Sequence, residues 1–73
     1  MININSMHIV YIIQNSVSKE IYYGVTENLK QRLTQHNRSA QKATTRKNGS
    51  WELVYAEAYK SKDDAILRAY LVA

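Results

Sequence analysis

The sequence predicts a small α/β domain of the α+β kind: a three-stranded, mainly antiparallel sheet with flanking helices, in the order β-β-α-β-α. Three observations predict it. Two segments near the start are rich in β-branched and aromatic residues and are joined by a short polar linker. A third segment, Trp51 to Tyr59, alternates at the period of a strand. Helix-capping patterns open two stretches with helical spacing, one between the second and third strands and one after the third.

His8 to Gln14 reads as the first strand and Ile21 to Val25 as the second, with Asn15-Ser16-Val17-Ser18-Lys19-Glu20 as a hairpin connection. Gly24 interrupts the second strand, which signals a bulge or the close approach of another group. Thr26 to Asn37 reads as the first helix. Leu29 and Leu33 give it an apolar stripe, Arg32 and His36 share a second face, and Asn28 with Gln31 resembles a capping pair, with Thr26 as the other possible cap. Arg38 to Ser50 reads as a basic polar loop with breakers at Thr44-Thr45-Arg46-Lys47-Asn48-Gly49-Ser50. Ser61, followed by Asp63 and Asp64, opens the second helix, which runs through Ala65, Ile66, Arg68, Ala69 and Tyr70 to the chain end.

The 73 residues suit one domain with a small core, so any site must share the elements that build that core. Hydrophobic residues are 45% of the chain, which rules out a disordered tail. The absence of cysteine excludes disulfides, iron–sulfur clusters, cysteine-based zinc sites and a cysteine nucleophile. No apolar run reaches the ~20 residues of a membrane span, and the start is unlike a secretory signal, so a cytoplasmic location is expected. The net charge is +4. Between Asn28 and Trp51 no acid occurs, while Lys30, Arg32, Arg38, Lys42, Arg46 and Lys47 all fall there. A stretch of one sign attracts polyanions, and phosphate contacts dominate nucleic-acid affinity. The same stretch would also serve a merely solvated face.

Tyr11 on the first strand and Tyr22 or Tyr23 on the second can sit side by side across the hairpin. Arg32 and His36 project from the helix that follows. Such a set suits a phosphodiester: arginine clamps phosphate, and histidine or tyrosine moves protons. Taken singly, a strand tyrosine is usually core, a helix histidine is usually surface, and an arginine stem often only covers a neighbouring leucine. The combination carries the signal.

In order along the chain, Ile9-Val10-Tyr11, Tyr22-Tyr23-Gly24, Thr26-Glu27-Asn28-Leu29-Lys30-Gln31-Arg32-Leu33, His36-Asn37, Thr45-Arg46, Trp51-Glu52-Leu53-Val54-Tyr55 and Ala65-Ile66-Leu67-Arg68 resemble the motifs of the GIY-YIG nuclease family. The match spans roughly residues 8 to 70 and most resembles small stand-alone members, similar to the N-terminal nuclease domain of the bacterial excinuclease. The resemblance implies DNA phosphodiester hydrolysis with one divalent ion, magnesium or manganese. It makes Tyr11 the tyrosine beside the attacking water, Tyr22 its partner at the scissile phosphate, Arg32 the group that steadies phosphate charge and His36 an assistant in proton transfer. Lys30, Arg38, Lys42, Thr45, Arg46 and Lys47 are the expected backbone contacts. Family members serve in DNA repair, restriction, homing and the cutting of structured DNA.

One position departs from the pattern. After Ala-x-x-Arg the family carries a glutamate that holds the metal, and here stands Ala69. Alanine offers no oxygen to a hard cation. Asp63 and Asp64 read as capping acids, and Glu52 and Glu57 belong to the third strand. The expectation is little or no cleavage, with no metal ligand at this position and no ion necessarily held. The rival readings are a catalytically dead nucleic-acid-binding module and a protein-interaction domain on the same fold. A last helix left under-covered at its end would also favour pairing of two chains as a homodimer.

Overall fold

The computed structural model of the protein describes residues 7–42 and 49–72. Three strands and two helices follow in chain order: β1 (His8–Asn15), β2 (Ile21–Thr26), α1 (Leu29–Lys42), β3 (Trp51–Tyr59) and α2 (Lys62–Val72). The strands form one antiparallel sheet in the order β2-β1-β3, so β1 is paired on both sides.

The β1–β2 connection is built around Asn15. Its buried side-chain oxygen accepts hydrogen bonds from the Val17 and Ser18 amides, each at 3.0 Å, and its backbone carbonyl accepts from the Lys19 amide. Lys19 takes a left-handed conformation, with φ at 64°, to close the turn. Pairing then sets Tyr11 opposite Gly24 and Ile13 opposite Tyr22, while Ile12 faces Tyr23. Side chains alternate across a strand, so Tyr22 shares the Tyr11 face and Tyr23 takes the other. The register thereby selects Tyr22 as the partner. Between Ile12 and Ile13 the β1–β3 register shifts, which leaves Val54 as the extra residue of a bulge.

Asn28 caps α1, its side-chain oxygen accepting the Gln31 amide at 3.0 Å, and Thr26 supports the cap by accepting the Asn28 amide. The helix extends beyond Asn37 through Lys42, where the sequence predicts a loop from Arg38. Arg38 to Lys42 contains no proline or glycine and includes good helix formers, so nothing there stops the helix. Of the breaker run expected next, residues 44–48 lie outside the described residues; Gly49 follows with a left-handed φ of 77° as the chain enters β3. Ser61 caps α2 by accepting the Asp64 amide.

The helices lie on opposite faces. His36 of α1 meets Tyr11, whereas Arg68 of α2 meets Glu57, and Tyr11 and the Glu57 partner Val10 are adjacent and point to opposite sides. The buried apolar core is accordingly small: Val10, Tyr11 and Ile13 from β1, and Ala65 from α2. Among the described residues no helix is long and apolar enough to cross a membrane.

Candidate functional site

Tyr11 is the hub. Its ring lies over Gly24, and a Cβ on Gly24 would sit 2.5 Å from both the ring carbon Cζ and the hydroxyl oxygen. Glycine is therefore needed because a tyrosine crosses the strand at that point, and the interruption seen in the sequence marks a close approach. The site tyrosine is also core, at 1% exposure. Its hydroxyl lies 3.2 Å from His36 Nε2.

Tyr22 stands beside both groups. Its ring centroid is 6.3 Å from that of Tyr11, in a stacked arrangement, and 4.6 Å from that of His36. Tyr22 remains 44% exposed, so the cluster reaches solvent through it. Arg32 lies one helical turn before His36 on α1, and its positive charge acts on both Tyr11 and His36. The structure thus brings Tyr11, Tyr22 and His36 together from three elements, with the Arg32 charge acting on two of them.

Electrostatics assigns their protons. Burial pushes the Tyr11 hydroxyl above its ordinary value; Tyr22 pushes the same way and Arg32 pulls partly back. Burial lowers the His36 imidazole, and the Arg32 charge lowers it further. At neutral pH Tyr11 keeps its proton and His36 is neutral, so the two share one hydrogen bond whose direction follows the imidazole tautomer: the hydroxyl donates when the ring proton is on Nδ1 and accepts when it is on Nε2. The pair joins a buried phenol to a neutral imidazole, both within the field of the Arg32 charge.

Two supports are not legible in the sequence alone. Trp51 sits with its ring centroid 6.2 Å from that of His36. Asn37, next to His36, grips the Trp51 backbone twice: its oxygen accepts the Trp51 amide at 2.6 Å and its NH2 donates to the Trp51 carbonyl at 3.2 Å. The available signal is the His36-Asn37 pair itself, whose second member fastens α1 to the start of β3 and so sets the height of the first.

Comparison with known proteins gives the architecture a lineage. The family model for the GIY-YIG catalytic domain matches residues 7–70. The chain belongs to the GIY-YIG family. It is 38% identical over 64 residues to a UPF0213 protein of Desulfotalea psychrophila, covering 86% of this chain and 57% of that one. It is 35% identical over 66 residues to a UPF0213 protein of Clostridium perfringens, covering 90% and 70%. The solution NMR structure of a UPF0213 protein of Bacillus halodurans superposes with a TM-score of 0.53 at 30% identity, covering 90% of this chain and 69% of that one. The chain thus spans a little over half of the first relative's length and about seven-tenths of the others'.

GIY-YIG nucleases generally depend on a metal ion, and the side chain at the family's ligand position does not fit one. Ala69 is half-buried on α2 and brings no oxygen. Among the described residues no group of three histidines, cysteines or acids is placed to hold a cation. Glu57, the acid fixed most firmly, is already engaged: Tyr55, Tyr59 and Arg68 hold its carboxyl down at about 2, with Arg68 Nε at 2.8 Å. A hard cation needs at least one carboxylate to anchor it among its waters, and the position where the family carries that carboxylate holds Ala69.

The expected backbone contacts are only partly placed. Lys30 and Arg38 line a shallow concavity on the exposed side of α1 together with Thr34 and Gln35. Lys42 ends the helix. Thr45, Arg46 and Lys47 lie outside the described residues.

Proposed function

We propose that this GIY-YIG domain binds the phosphodiester backbone of DNA at the Tyr11–Tyr22–Arg32–His36 cluster and, with Ala69 in the carboxylate position, has little or no cleavage activity. The observation that carries the reading is the convergence of Tyr11, Tyr22 and His36 from β1, β2 and α1, with the Arg32 charge acting on the Tyr11–His36 pair. In this reading Arg32 pairs with a phosphate oxygen and the exposed Tyr22 hydroxyl orients the same group. Neutral His36 holds the Tyr11 hydroxyl in place through their hydrogen bond. Tyr11 acts by position, since burial holds its proton in place and a phenolate is unfavourable there. Lys30 and Arg38, on the exposed side of α1, add positive charge near the site.

Fluorescence anisotropy with labelled DNA across a salt series tests the binding. Affinity should fall steeply with salt, and Arg32→Ala should weaken it by roughly tenfold, the loss of one charge-assisted contact of ~1.5 kcal/mol. Salt-independent binding would instead favour a protein partner. A supercoiled-plasmid assay with magnesium or manganese tests the chemistry. Efficient nicking by the chain as written refutes the inactivity. Nicking gained only in Ala69→Glu identifies a nuclease silenced at one position.

A further inference from the structure

A second concavity adjoins the cluster. A cleft of about 430 Å3 opens at the end of the sheet where β1 starts and β2 finishes, between the first turns of α1 and α2. Arg32, the residue proposed to hold the phosphate, is part of its lining. Lys62 and the His8 imidazole face it from the other elements, against a single acid, Glu27. Val25 and Ile66 give it an apolar wall, and Gln31 adds an amide.

We propose that this cleft receives one unpaired nucleotide next to the phosphodiester held at Arg32, so that the substrate is single-stranded at that step. The proposal rests on the phosphate-binding reading above and adds the class of strand. Size argues for a nucleotide: the cleft, flanked by the first turns of both helices and open to solvent, falls within the ~300–1,000 Å3 range of small-molecule sites. Chemistry argues the same way. Cations suit the phosphate, an apolar wall suits a base face, and an amide can read a base edge that is free only when the base is unpaired. On the far side of the cluster, Tyr22, His36 and Trp51 form a continuous aromatic run on which a neighbouring base can stack. One strand would pass from this run, over Arg32, into the cleft.

The test is anisotropy with a short single-stranded oligonucleotide, a blunt duplex of the same sequence and a duplex with an overhang, at one salt concentration. Free deoxynucleoside monophosphate serves as a competitor. The expected result is that single strand and overhang bind roughly tenfold more tightly than blunt duplex, the value of one stacked base. Ile66→Trp fills the cleft without changing charge, and Ile66 is 41% exposed, so the fold should tolerate it. That variant should lose the preference and keep duplex binding. Lys62→Gln, checked by circular dichroism, should lower the salt slope for single strand by about 0.7 and leave the duplex slope unchanged. Equal affinity for single strand and duplex overturns the proposal and leaves backbone binding intact. So does a preference that survives both variants. Monophosphate that competes as well as the oligonucleotide also overturns it, by identifying a mononucleotide pocket. Binding to neither form overturns this proposal and the reading beneath it together.

Discussion

Tyr11 has little freedom: Gly24 lies beneath its ring, His36 meets its hydroxyl and Tyr22 stands alongside. Gly24→Ala should displace the ring from its seat and break the bond to His36. Overpacking of a tight site costs about 1–3 kcal/mol, read as a lower urea midpoint, and DNA affinity should fall with it. The two shifted groups also bound a pH range. His36 has a folded value below its unfolded 6.5, so the unfolded state takes up the proton first on acidification. Its contribution to stability is present above about 6.5 and is lost as pH falls through the folded value. Tyr11 has a folded value above its unfolded 10.0, so its contribution is present below about 10 and is lost as pH rises through the folded value. Thermal melting across pH should give a plateau between these limits, with the acid shoulder absent in His36→Asn. A flat profile on the acid side would contradict the assignment of a neutral His36.

At the scale of elements, the position of α1 depends on one amide. Asn37 satisfies both polar groups of the Trp51 backbone, so Asn37→Ala leaves a donor and an acceptor in a half-buried place. The expected loss is about 1–3 kcal/mol in urea unfolding, with altered quenching of the single tryptophan. Asn37→Asp, which can still accept the amide, should recover part of it. On the opposite face α2 is held by Arg68, which reaches Glu57 and Tyr55 from half-exposed positions. An ion pair in that setting is worth little by itself, so α2 depends chiefly on Ala65 being buried against the sheet.

At the scale of the whole molecule, legibility follows sequence distance. The hairpin, both caps and the paired helix residues Arg32 and His36 are local patterns, and each is readable from spacing. The choice of Tyr22 over Tyr23 requires the strand register, which the Asn15 turn sets. The end of α1 is misread because a polar, basic run looks alike in a loop and on an exposed helix. The cleft is not readable at all: His8, Arg32 and Lys62 are far apart in the chain, and only the β2-β1-β3 order brings them to one end of the sheet. That same order has a kinetic meaning. β1 alone is hydrogen-bonded along both flanks and carries the three most buried large apolar side chains, so its amides are the last to open to solvent exchange. Tyr11 should therefore exchange with the slowest-opening strand, and Arg32 and His36 with α1, an order that amide hydrogen exchange would read. Losing the site by local opening means losing the helix first, with the tyrosine still waiting in its groove.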